Sequence, residues 1–374
     1  MKTRIINYII GLIFIIYYWI CIQNSYIQIV FHKNGWYLGE WLINYQDGGF
    51  KRRGLFGTLF VWINELTGIK LEFIVFAFVA ALYSLFFSLL ISLFVRKKNT
   101  LLTISILLLP AGLGMILKDP TIIAKKEIVI FIFYLIYFLL LESKKVVKNI
   151  MVTLFIIIAI LNHEAAFFYI PFVSFTYFVK DPSQTITKIK KILFYHLVPA
   201  TVVMLILYKF GYSISTENSI QFLENHGLKL VLKGIYGYDP HYNALNFYQS
   251  HSYGYLTYLI SIFLASFTFI IYCKTNKINI NRSFLIIQTL FLLPLFYIAY
   301  DWGRWVNIFF TLLTIFIAGE KQLTSTIKHD IIAVALIIFN TFWTMMLFTA
   351  GFMTFPALDT LIKKLYYFFY FKLF

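Results

Sequence analysis

Four short stretches hold most of the groups in this chain that suit chemistry: DGGFKRRGLFG (residues 47–57), KDPTIIAKKE (118–127), LNHEAAFFYIP (161–171) and AYDWGRWVN (299–307). In the first, Arg52 and Arg53 offer planar guanidinium forks for paired phosphate oxygens, and the glycines allow tight turns. Asp47 is placed to pair with one of these arginines or to serve as a general base. In the second, Lys118, Asp119, Lys125, Lys126 and Glu127 surround a proline, and Glu127 is set to open a helix whose dipole favours its charge. A polar hairpin between two helices would have the same composition. The third stretch puts Asn162, His163 and Glu164 between two apolar runs, a depth at which ionisable groups are expensive and commonly functional. A carboxylate against apolar surface has its pKa raised towards neutrality, so Glu164, beside His163, suits proton abstraction from a sugar hydroxyl. The fourth spaces Asp301 and Arg304 three apart among Trp302 and Trp305. An arginine there suits phosphate oxygens and the indoles suit apolar sugar faces, although tryptophan at a membrane interface is common in its own right.

The elements that must position these groups are apolar helices. Of the 374 residues 60% are hydrophobic and only 13% charged, against roughly a quarter charged in a soluble domain. That excludes a cytosolic globular enzyme and predicts a single transmembrane domain over residues 1–374. Runs long enough to approach a bilayer crossing fall near 8–30, 72–95, 100–117, 127–141, 150–162, 165–179, 192–209, 254–273, 283–300, 305–319 and 331–350. The fold class expected is therefore all-α, a polytopic bundle of about 11 to 12 transmembrane helices, the C-terminal LIKKLYYFFYFKLF being the twelfth or an interfacial helix. The first run lacks a small-residue cleavage site and reads as an uncleaved span. Residues 31–71 form the first outer loop, in which 55–68 is too short to span and reads as a re-entrant or interfacial helix. Residues 210–253 form a long outer loop.

Charge sets the expected orientation. With the N-terminus cytoplasmic, the inner connections carry 17 Lys and Arg against four acids, and the outer connections carry 12 of each sign. The net charge of +16 is thus topological, and without a long basic block it does not indicate nucleic acid. The outer charges need another reason to exist, which places the chemistry outside. His226, His241 and His251 in the long loop have spacings of 15 and 10 that match no compact metal signature, so no metal is expected. Cys21 and Cys273 lie in or beside apolar runs and suggest no disulfide. Phosphate-binding and dinucleotide glycine motifs, HExxH and GxSxG are all absent from the sequence. An outward-facing site also has no access to cytoplasmic nucleotides, so any activated sugar must arrive on a flipped lipid, without a cofactor.

DGGFKRRGLFG after the first span, the His163–Glu164 pair and the DWGRW loop together resemble the bacterial O-antigen and capsule repeat-unit polymerases, Wzy-like proteins of surface-polysaccharide clusters. The resemblance covers the span count and general plan over most of the chain. It implies a glycosyltransferase of the bacterial plasma (inner) membrane that joins undecaprenyl-diphosphate-linked oligosaccharides at the outer face. It also implies membrane lipids and a chain-length regulator as partners. Arginines gripping the diphosphate map onto Arg52, Arg53 and Arg304; Lys118 and Lys126 of the second stretch are substrate-binding candidates on their residue types alone. His241, Asn243 and Leu245 echo the related O-antigen ligases. The acidic outer clusters and the lack of a large arginine-rich loop depart from that pattern and leave Glu164, Asp47, His163 and Asp301 as candidates for the base. A GT-C-type enzyme using a polyprenyl-phosphate sugar, with Asp47 as its acid in the first outer loop, is the nearest alternative. A transporter or flippase is a further one, though it would place its charges at the bundle midplane.

Overall fold

The computed structural model describes residues 2–95, 99–141, 147–211, 218–237, 253–278, 280–299, 301–320, 326–345 and 364. Every named element among them is helical. The long helices are α1 (Lys2–Tyr26), α4 (Leu71–Val95), α7 (Glu127–Leu141), α8 (Val147–Asn162), α11 (Val198–Phe210), α13 (Tyr253–Asn276), α14 (Arg282–Ile298), α15 (Trp302–Ala318) and α16 (Ile327–Thr341). Between them lie α2 (Leu38–Trp41), α3 (Leu55–Thr67), α5 (Leu101–Leu107), α6 (Met115–Lys118), α9 (Ile170–Lys180), α10 (Thr185–Ile192) and α12 (Ser219–Asn225).

Four helical stretches are long and apolar enough to cross a membrane: Arg4–Phe31, Leu71–Val95, Thr185–Phe210 and Leu256–Asn276. The remaining apolar helices are shorter than a straight crossing requires. Large apolar side chains face outward along the bundle, among them Ile15, Trp19, Leu205, Phe263, Leu290 and Ile331. Water would penalise such a surface and hydrocarbon would not.

Two expected spans take another form. Residues 100–117 are not one helix: α5 stops at Leu107, and the chain turns through Pro110 and Gly114 before α6. Proline cannot donate to a continuing ladder, and a Cβ on Gly114 would lie 2.4 Å from the Leu108 carbonyl, so this close turn requires glycine. Residues 165–179 start as a 3₁₀ segment, Glu164–Tyr169, and become α-helical only at Ile170. The stretch 55–68 does form a short helix, α3, with Gly57 against the Ile43 carbonyl, where a Cβ would be 2.0 Å away.

In the core, α1 packs on α4, α4 on α7, and α7 on both α8 and α15. Short links make sequential neighbours antiparallel, so the connections 32–70, 119–126 and 163–169 and the residues Ala299 and Asp301 gather at one end of the bundle. The opposite end is closed by Asn7 with Asn99 (2.9 Å), Lys148 with Asp181 (2.5 Å) and Lys180 with Glu320 (2.6 Å). The two cysteines are not bonded to each other.

Candidate functional site

The four charged stretches meet in a single ionic chain. Arg52 Nη1 lies 3.9 Å from Glu164 Oε1, and Arg53 grips the same carboxylate with both Nε (2.9 Å) and Nη2 (2.7 Å). Arg53 Nη1 then reaches Glu40 Oε1 at 3.4 Å, Arg304 Nη2 meets that oxygen at 3.0 Å, and Arg304 Nη1 ends the series 3.5 Å from Asp301 Oδ2. Charge alternates along the series from Arg52 to Asp301. Its middle is dry and its ends are wet: the side chains of Glu40 and Arg304 are 3% and 4% exposed, against 45% for Arg52 and 22% for Asp301.

Two further charges brace the middle. Lys125 Nζ is 3.6 Å from Glu40 Oε2, sits over the Tyr37 ring and donates to the Trp36 carbonyl. Glu127, the first residue of α7, accepts from Arg304 Nε. Counting Arg52, Arg53, Lys125 and Arg304 against Glu40, Glu127, Glu164 and Asp301, the assembly is electrically balanced. Lys126 stands apart from this balance: fully buried, it donates to the Arg53 carbonyl at 2.7 Å and lies 5.6 Å from the Trp41 ring.

The backbone is bent to make these meetings. Arg53 and Ala124 both occupy the left-handed region, at φ 64 each, a conformation that costs a non-glycine residue about 1–3 kcal/mol. Both are held from outside: the Arg53 carbonyl by Lys126, and Ala124 by Tyr83 at its N–H and by the Trp41 indole at its carbonyl. Strain of this kind persists where surrounding contacts over-determine it, and such places cluster at functional sites.

Electrostatics follow from the contacts. Burial alone would raise Glu40, but Arg304, Lys125, Arg53 and His163 together hold its carboxyl well below the usual range. Burial likewise acts to raise Glu164, and Arg53 outweighs it through charge and paired hydrogen bonds. The expectation of a Glu164 poised near neutrality is therefore overturned, since its apolar surroundings come with a bidentate cation. His163 is kept neutral by burial and by the nearby Arg53 and Arg304. Its Nδ1 accepts from the Ala165 N–H at 3.2 Å, so in the neutral ring the proton is on Nε2. Burial pushes Lys126 down to about 7, with Arg53 and Arg304 adding to the fall and Glu40 and Glu164 opposing it.

The structure thus brings together Arg52, Arg53, Lys126, His163, Glu164, Asp301, Arg304 and Trp305, whose ring packs edge-on to His163 at 6.1 Å. Other candidates lie in different surroundings. Asp47 pairs not with an arginine but with buried Lys51 at 2.9 Å, which also approaches Ser219 Oγ at 3.5 Å and so ties α12 to this turn. Lys118 donates to the Thr341 carbonyl at 2.9 Å, and Trp302 caps the end of α14 through the Phe296 and Ala299 carbonyls. His241 lies outside the described residues. Glu40, the hub of the network, escaped the sequence reading. Its signal is a lone carboxylate in the aromatic run WYLGEWL, where an ionised group needs a partner from elsewhere. No cluster of three metal-ligating side chains occurs among the described residues. Comparison with protein families, curated proteins and solved structures finds no match for this chain.

Proposed function

We propose that this chain is a membrane glycosyltransferase that joins undecaprenyl-diphosphate-linked repeat units of a bacterial surface polysaccharide, the O-antigen or capsule. In this reading the shorter helices also cross the bilayer, giving eleven or twelve passes with the N-terminus cytoplasmic. The network end then faces outward, and the lysine-rich connections at the opposite end accord with retention inside. The observation that carries the reading is the ionic chain with accessible ends, a guanidinium at Arg52 and a carboxylate at Asp301, joined through a dry middle.

The chemistry assigned to those ends is displacement at an anomeric carbon. A hydroxyl of the acceptor unit attacks, the bond to the lipid diphosphate breaks, and the leaving diphosphate departs against Arg52. Arg53 is already spent on Glu164 and Glu40, and Arg304 on Glu127 and Glu40, so their part is to hold the scaffold charged and rigid. Glu164 has both oxygens occupied by Arg53. Asp301, held only at 3.5 Å by Arg304 and reached by solvent, is the better proton acceptor. Glu40 supports a second reading, a GT-C-type enzyme that transfers one sugar from a polyprenyl phosphate, because it is an acid of the first connection seated at the centre of the site.

Deletion and restoration of the gene in its host separates these readings on a gel of surface polysaccharide. A ladder that collapses to a single repeat unit and returns on complementation supports the polymerase. A ladder that persists with one sugar missing supports the single-sugar transferase. In the same assay Arg52→Ala is expected to shorten or abolish the ladder while the protein accumulates normally, since Arg52 is exposed and its removal strands no buried charge.

A further inference from the structure

Helix α3 is apolar on two faces that have different surroundings. On one, Gly57, Thr58, Phe60 and Val61 are buried, and the rings of Phe56 and Phe60 meet Phe78 of α4 at 5.0 and 5.1 Å. On the other, Leu59, Trp62, Ile63 and Leu66 follow one another at spacings of three and four, which places them in one helical stripe. Each is at least 41% exposed, and Leu66 reaches 85%. With 13 residues, or about 20 Å of length, α3 is too short for the roughly 30 Å of a hydrocarbon core. Nor does it lead away from the network end. It begins two residues after Arg53, and beyond Gly68, which is left-handed at φ 70, the chain enters α4 at Leu71. Water would penalise a stripe of four large apolar side chains.

The segment that follows α12 is tied to the same region and continues the pattern. His226 Nε2 lies 3.2 Å from Glu65 Oε1 of α3, and the Gly35 N–H donates to the Leu232 carbonyl at 2.9 Å. Between these ties Val231 and Leu232 are exposed. Lys70, Lys229 and Lys233, next to these apolar groups in the chain, are exposed and enter no ion pair among the described residues. Of the neighbouring acids, Glu65 and Glu72 are engaged by His226 and Lys33. Glu224 is left against three lysines. Apolar side chains with an indole among them and cations at their fringe match the boundary between the acyl chains and the phosphates of a phospholipid leaflet. A second copy of the same patch would instead set like charges against one another.

We propose that α3 and residues 229–233 are seated in the phospholipid leaflet at the network end, with the stripe from Leu59 to Leu66 among the acyl chains and Lys70, Lys229 and Lys233 against lipid phosphates. This requires only that the bundle crosses a bilayer, and it holds for any reaction at the network. Seated in this way, α3 brings Arg52, three residues ahead of its first turn, to the edge of the leaflet that supplies a lipid-linked anion.

The test uses the full-length protein in nanodiscs of phosphatidylcholine and phosphatidylglycerol, carrying a bimane fluorophore on Leu66→Cys. Cys21 is fully buried, Cys273→Ser removes the other thiol, and Leu66 is exposed enough that its replacement leaves the core intact. Brominated phosphatidylcholine is expected to quench the fluorophore, and iodide added to the water is expected not to. Brominated phosphatidylglycerol should quench more strongly than brominated phosphatidylcholine. That preference should fall about fivefold for each lysine lost in Lys229→Gln and Lys233→Gln, and excess inorganic phosphate should leave it unchanged. Quenching by iodide puts the stripe in water and overturns the proposal. Quenching by neither agent puts it under protein, a second copy or another partner, and overturns it equally. So does a phosphatidylglycerol preference that is absent, that survives the loss of both lysines or that inorganic phosphate abolishes. Surface polysaccharide is scored separately. An embedded stripe in a protein whose deletion leaves the polysaccharide unchanged removes the transferase reading and keeps this one, whereas a deletion phenotype with the stripe in water does the reverse.

Discussion

The two ends of the bundle solve the same problem, charge beside hydrocarbon, in opposite ways. At one end Lys148 meets Asp181 and Lys180 meets Glu320, each a pair whose members have one charged partner apiece among the described residues. At the other end Glu40 alone is approached by Arg53, Lys125, Arg304 and His163. A separable pair can be lost without stranding a third group. A shared carboxylate cannot, because its removal takes a partner from Arg53, Lys125 and Arg304 at once. The first arrangement suffices to close a helical bundle, so the second exists for something else, and geometry that keeps charges dry but linked to solvent at both ends is suited to a site.

The sharpest way to break this contrast is Glu40→Ala. It should cost about 3–5 kcal/mol, the penalty for stranding buried charge, and lower the thermal unfolding midpoint in nanodiscs far more than any single change at the opposite end. Next comes Lys126, the buried cation outside the balance. Its folded pKa of about 7 lies below the unfolded value near 10.4, so the unfolded chain binds the extra proton between those limits. Stability should therefore rise as pH increases from about 7 to 10, by roughly 4 kcal/mol, and level off below 7. Lys126→Met should flatten that rise, which chemical-denaturation midpoints across the pH range would read. The smallest effect is expected at the far end: Glu320→Gln, breaking a pair whose members are about a quarter exposed, should shift stability by no more than about 1 kcal/mol. If Glu320→Gln proves as damaging as Glu40→Ala, the contrast between the ends collapses.

Much of this is legible in the sequence alone. Period and length of the apolar runs located most helices, because burial in hydrocarbon leaves a long contiguous signature. The break between α5 and α6 was not located, since Pro110, Gly112 and Gly114 sit inside a run whose composition still reads as apolar. The charged stretches were each found as local oddities, but nothing in the sequence says that Arg53 faces Glu164 rather than Asp47, or that all four stretches share one hub. Those are long-range pairings, and local pattern carries no information about them. Glu40 was missed for the same reason. It has no charged neighbour within six residues on either side in the sequence, and its partners are Arg53, 13 residues on, and Lys125, His163 and Arg304 from distant parts of the chain. Glu164 was found but assigned the wrong direction of shift, because burial was legible and the arginine was not.

The hub also sets an order of events during synthesis. Glu40 and Arg304 are separated by 264 residues, and at about 5–20 residues per second the interval between making the first and the second is roughly 13–53 s. By the end of that time Glu40, Arg53, Lys125 and Glu127 have been made, while the guanidinium that bonds both Glu40 and Glu127 has not. The network end therefore cannot dehydrate until α15 is in place. The arrival of Arg304, which joins Glu40 to Glu127 and Asp301, acts as the latch that commits this end of the bundle to its final packing.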